Sequence, residues 1–176
     1  MLMFATVEDY IQQIEKALTA QLWIMATVGA LTLPDICGAL PTPNGQATGQ
    51  RYAKWFDQHV GTLGYNTALS GQDCYKLRCS LLHQGSAQHP KSHVGRILLF
   101  APTKGTGTVH RVGMQFGTEK CLVLDVNEFC HDLVSASRSW WLAMQDDALV
   151  KKNFDRFVRY WPNGIAPFIV GTTLIG

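Results

Sequence analysis

The stretch "DCYKLRCSLLHQGS", Asp73 to Ser86, holds an arginine and a histidine whose spacing invites chemistry. On a wheel turning about 100° per residue, Arg78 falls roughly 40° from Cys74, inside the arc that carries Tyr75, Leu77, Leu81 and Leu82. A guanidinium in such an arc is costly to bury unless a carboxylate, a subunit boundary or an anionic ligand meets it. His83 lies about 140° around the helix and ~7.5 Å along its axis from Arg78. Histidine exchanges a proton near neutral pH, and arginine offers a planar donor fork to an oxyanion. A single helix does not bring both side chains onto one small ligand. Two copies crossing about a two-fold axis would set Arg78 of one subunit beside His83 of the other.

The helix that must carry this pair is well bounded. Ser70 and Asp73 make an S-x-x-D start, and Gly85 supplies the stop. Upstream, Thr6 and Asp9 resemble a capping box, and Ile11, Ile14, Leu18, Leu22 and Met25 follow at helical spacing. A long first helix is expected from about Val7 to about Val28. Pro34 then suits the first turn of a short second helix over "LPDICGAL". "PTPNGQATG" reads as a surface loop, and "QRYAKWFDQHV" as a helix stopped at Gly61.

Beyond Gly85 the pattern changes. Loop chemistry runs from Ser86 to Gly95. "RILLFA", "TVHRVGMQF" and "KCLVLDV" are rich in β-branched and apolar residues and predict a three-stranded antiparallel meander. "KGTG", Lys104 to Gly107, lacks the spacing of a phosphate loop and fits a hairpin turn. Asp125 with Glu128 opens a long helix whose stripe is Phe129, Cys130, Leu133, Ser137, Trp140, Trp141 and Met144. A last helix is expected to carry Val150, Phe154, Phe157 and Trp161, stopped by "PNG".

At 176 residues the chain fits one domain able to bury its own core. Hydrophobic residues make up 47% and charged residues 16%, which excludes a disordered chain and leaves room for a subunit interface. A net charge of +2 is too small to announce nucleic-acid binding, so any basic footprint must be local. The five cysteines are odd in number and include no C-x-x-C pair, which points to free thiols in a reducing compartment. No signal peptide is expected, and "LWIMATVGALTL" is shorter than the ~20 residues of a bilayer span. The expectation is a cytoplasmic protein without membrane attachment.

The R-x4-H spacing of Arg78 and His83 resembles the signature of the HEPN superfamily, small helical domains of prokaryotic defence and toxin systems. The resemblance implies dimerisation through the motif helices. It also implies a metal-independent endoribonuclease site composed in the dimer cleft, with Arg78 and His83 as its catalytic pair. The ribose 2′-hydroxyl would be the nucleophile, leaving a 2′,3′-cyclic phosphate and a 5′-hydroxyl. Active members carry a polar residue, often asparagine, after the arginine; this chain has Cys79. The expected fold class is therefore α+β: a mostly helical HEPN-like bundle (6–85 and 126–161) with the small meander (about 95–125) inserted before the last two helices. A tail covers 162–176, and the whole of 1–176 forms one domain.

Other residues are weighed beside this pair. Cys79, Gln84 and Asp73 are candidate accessory groups. Lys151, Lys152, Arg156 and Arg159 are candidate RNA contacts, or simply the solvated face of the last helix. Arg78 has a structural alternative in an ion pair with Asp73, Glu128 or Asp132, and His83 one as a helix-terminal cation favoured by the dipole. His89 and His93 in "HPKSH" have ligand-like spacing, but Pro90 breaks their alignment, and no metal or other cofactor is expected. His59 and His110, the latter read as a strand residue, show no partner in the sequence. The expected partners are a second copy of the chain, RNA, and a partner or antitoxin protein. The alternative function is a catalytically inactive HEPN-like module for dimerisation or for partner or nucleotide binding.

Overall fold

The structure, a computed structural model, describes residues 7–103 and 105–176. Thr6 of the expected capping box and Lys104 of the expected turn lie outside them. The described chain is α+β and mostly helical. Helices α1 (Val7–Thr19), α2 (Trp23–Ala39), α3 (Gly49–His59) and α4 (Gly71–Gln84) come first, with a single 3-10 turn at Gly61–Leu63 before α4. Strands β1 (Arg96–Phe100), β2 (Val112–Phe116) and β3 (Glu119–Asp125) lead into α5 (Val126–Met144) and α6 (Ala148–Phe154). Four two-residue strands follow: β4 (Tyr160–Trp161), β5 (Gly164–Ile165), β6 (Ile169–Val170) and β7 (Leu174–Ile175).

The expected long first helix is broken. Gln21 adopts a left-handed φ of 57°. The Leu22 N–H donates to the Ala17 carbonyl at 2.8 Å, and the Gln21 N–H to Leu18 at 2.9 Å. This is a Schellman ending, with glutamine where glycine is usual. The break leaves Leu22 and Met25 exposed, so they do not extend the stripe of Val7, Ile11 and Ile14.

The second correction concerns Pro34, which lies inside α2 rather than at a helix start. α2 is apolar on nearly every side and buries Ala26, Ala30, Leu31, Leu33, Pro34 and Cys37. It packs against α1, α3, α4 and α5. That burial outweighs the hydrogen bond that a mid-helix proline forfeits.

The remaining helix ends obey local chemistry. Thr48 accepts from the Arg51 N–H at 3.2 Å, and Ser70 from the Asp73 N–H at 3.1 Å. Gly85 closes α4 at φ 63°, with the Ser86 N–H on the Ser80 carbonyl. Asp125 Oδ1 caps α5 through the N–H groups of Asn127 (2.9 Å) and Glu128 (3.2 Å). Phe129, Cys130, Leu133, Ser137 and Trp140 are buried along α5, facing α2.

The three longer strands form one sheet, but it is not an antiparallel meander. The order is β1-β3-β2, with β1 parallel to β3 (Ile97 opposite Leu122) and β2 antiparallel to β3 (Met114 opposite Cys121). β3 is the most buried of the three and takes the centre, with Leu122, Val123 and Leu124 buried. β2 contains Gly113 and Gln115, has all five residues exposed, and takes an edge. The long crossover between β1 and β2 carries His110 and Arg111 back to the helical layer, so His110 is not a strand residue.

The last helix is also shorter than its stripe suggested. α6 ends at Phe154; Phe157 stacks on Phe154 (5.0 Å between centroids), while Trp161 belongs to β4 and pairs with Leu174 of β7. Among the described residues, no helix is long and apolar enough to cross a membrane.

Candidate functional site

Arg78 is half-buried on α4, and its charge is met from α2. Its Nε donates to Asp35 Oδ2 at 2.7 Å, with the two side chains 23% and 12% exposed. The carboxylate is none of the three the sequence offered, Asp73, Glu128 or Asp132. Asp35 was hidden because the continuity of α2 through Pro34 was not legible, and that continuity turns Asp35 toward α4. Burial pushes the Asp35 carboxyl above its usual value despite the pull of Arg78. Burial works against the Arg78 charge too, but Asp35 outweighs it and raises the arginine further.

The ion pair is monodentate. It uses Nε alone, with the Cys79 thiol and the Tyr75 hydroxyl as its neighbours on α4. Tyr75, Arg78, Cys79 and Leu82 are all half-buried and share one side of α4, while His83 and Gln84 are exposed in its last turn. Within one chain Arg78 and His83 therefore point apart, as their helical offset of roughly 140° requires. The structure brings Arg78 together with Asp35 and Cys79, and does not bring it together with His83.

Asp73 is occupied elsewhere. It is buried at the start of α4 and accepts from the Ser70 hydroxyl (2.8 Å), the Lys76 ammonium (3.1 Å), the Ser92 hydroxyl (3.2 Å) and the His93 N–H (3.0 Å). Burial raises its carboxyl, but the His93, Ser70 and Lys76 donors prevail and hold it at about 2. Asp73 is a clamp that ties the loop 86–95 to α4.

The four basic candidates do not form one helical face. Lys151 and Lys152 lie on α6, whereas Arg156 and Arg159 follow its end. Lys151 pairs with Asp146 at 2.8 Å. Arg156 donates to Asn153 Oδ1 at 2.8 Å, and Arg159 stacks over Trp161 at 4.4 Å. The Trp140 ring is buried and Trp141 packs on Phe154 at 4.8 Å, so this pair belongs to the core.

One polar network was missed by the sequence. The buried Tyr65 hydroxyl donates to Asp132 Oδ2 (2.9 Å) and meets His110 Nε2 at 2.9 Å. His110 Nδ1 accepts from the Asp125 N–H at 3.1 Å, which makes Nε2 the protonated nitrogen of the neutral ring. Burial lowers the His110 pKa, and Arg111 adds to that. Its members are 45 and 67 residues from Tyr65, so no local spacing announces it.

Among the described residues, no group of three or more His, Cys, Asp or Glu side chains is arranged to hold a metal ion. Comparison with protein-family models, with curated proteins and with solved structures finds no match to this chain.

Proposed function

We propose that this chain is a HEPN-like, RNA-directed domain that pairs through α4 and composes a metal-independent endoribonuclease site from Arg78 of one copy and His83 of the other. The observation that carries the reading is the disposition of α4. A half-buried guanidinium, held through Nε, sits on a partly exposed stripe of Tyr75, Cys79 and Leu82, with an exposed histidine in the last turn. A two-fold across that stripe would cover apolar surface that the monomer leaves open. It would also supply the imidazole that one helix cannot. The guanidinium would then face the charge developing on the scissile phosphate, and the imidazole would move the proton.

A second reading has its own support: the Asp35 ion pair and Cys79 favour a silent dimerisation module. A carboxylate beside the arginine opposes phosphate, and a thiol is a poor substitute for a polar donor.

Incubation of a mixed RNA with the wild type, Arg78→Ala and His83→Ala, with and without chelator, separates the two. The enzyme reading expects chelator-insensitive cleavage that both substitutions abolish. A wild-type dimer that leaves RNA intact, and that Arg78→Ala weakens, selects the silent module. A monomer in sedimentation contradicts both.

A further inference from the structure

A second feature, lined by neither Arg78 nor His83, lies beside the edge of the sheet. A cleft of about 450 Å³ opens between Thr67–Ala68, His93–Val94 and the β2–β3 hairpin. It exists because the face of β2 that shares Leu122 and Lys120 of β3 carries only Gly113 and Gln115. A Cβ added to Gly113 would meet no atom within 4 Å, so the strand presents open space where a larger residue would sit.

The chemistry of the walls is one-sided. Arg111, Lys120 and His93 line the cleft together with the Thr67 and Gln115 side chains, and no carboxylate is among the lining residues. In a chain of net charge +2, the two fixed cations Arg111 and Lys120 around one opening are a local bias toward an anion. Val94 and Leu122 add an apolar bed.

Arg111 is built in rather than loosely displayed. Its backbone holds a left-handed φ of 59°, which a non-glycine residue rarely adopts. Its guanidinium lies 5.2 Å over the Tyr65 ring, and Nη1 donates to the Leu63 carbonyl. Nε and Nη2 make no hydrogen bond among the described residues. His93 is oriented as well. Its N–H and Nδ1 both engage Asp73, at 3.0 and 3.3 Å, leaving Nε2 for a ligand.

We propose that this cleft binds a phosphate monoester carrying a compact apolar or aromatic body, of mononucleotide size, with Arg111 and Lys120 on the phosphate and Val94 and Leu122 beneath the body. A volume of this order suits a small organic ligand. Neither Arg78 nor His83 lines the cleft, so this site stands or falls independently of the proposed α4 function.

Calorimetric titration of the full chain tests it, with 5′-AMP, 5′-UMP, ribose 5-phosphate, inorganic phosphate and adenosine as probes. A single monophosphate site is expected, with adenosine at least tenfold weaker and Arg111→Gln or Lys120→Gln each weakening binding about tenfold. Gly113→Leu, whose side chain enters open space at an unstrained φ, removes binding and leaves the circular dichroism and melting midpoint unchanged. Arg78→Ala binds as the wild type. Tighter binding of AMP or UMP than of ribose 5-phosphate assigns the body to a nucleobase, and the reverse order assigns it to a sugar; both support the site. Three results overturn it: no monophosphate binding at millimolar concentration, binding indifferent to Gly113→Leu, or inorganic phosphate binding as tightly as every organic monophosphate.

Discussion

Arg78 and Asp35 are joined across α4 and α2 by one hydrogen bond of 2.7 Å from Nε to Oδ2, with little solvent around the carboxylate. Removing one partner strands the other. Asp35→Leu should cost about 2 kcal/mol, less than a fully buried pair because Arg78 keeps some water. Arg78→Met should cost a similar amount, and the double variant less than the sum of the two. Urea denaturation of the four proteins reads the cycle; strict additivity would mean the pair has no energetic coupling.

Asp73 makes a prediction about acid. Its folded pKa, about 2, lies below the ordinary value of 3.8. The folded state therefore binds the proton more weakly than the unfolded chain. The stabilisation is complete above pH 4 and is lost as the pH falls through the folded value. Asp73→Asn should cost about 2 kcal/mol at pH 7, and the gap from wild type should narrow steadily below pH 4. A gap independent of pH would remove the carboxylate's ionised donors as its cause.

His110 adds an acid sensitivity of the same sign at a higher pH. Burial first, then Arg111, depress its pKa below 6.5, while Asp132 pulls it up. Folding therefore loses stability as the pH drops below 6.5, because the unfolded imidazole takes a proton that the folded one resists. In an NMR titration of the ring, Arg111→Gln should move the midpoint up toward 6.5 and Asp132→Asn should move it further down. Shifts of the same sign in both variants would rule out this electrostatic account.

The parts of the fold legible in the sequence are those set by contacts within a few residues. Ser70, Gly85 and Asp125 announce the ends of α4 and the start of α5 because a cap needs only three or four neighbouring positions. Gln21 hides a helix end, since an ordinary side chain occupies the left-handed position that glycine would have signalled. Strand content was readable from β-branched runs, but strand order was not, because it depends on which strand the helices cover. The site divides the same way. The place of Arg78 on the less exposed side of α4 follows from helical periodicity. Its partner Asp35, 43 residues away, and the Tyr65–His110–Asp132 network rest on tertiary packing.

The proposal of a site shared between two α4 helices is tested most directly by subunit complementation. Arg78→Ala and His83→Ala proteins, each inactive alone, are mixed under conditions that exchange subunits and assayed for chelator-insensitive RNA cleavage. A mixed dimer contains one site with Arg78 from one copy and His83 from the other, so the account predicts that activity returns on mixing. Exchange demonstrated by mass-tagged subunits, with RNA still intact, would contradict it.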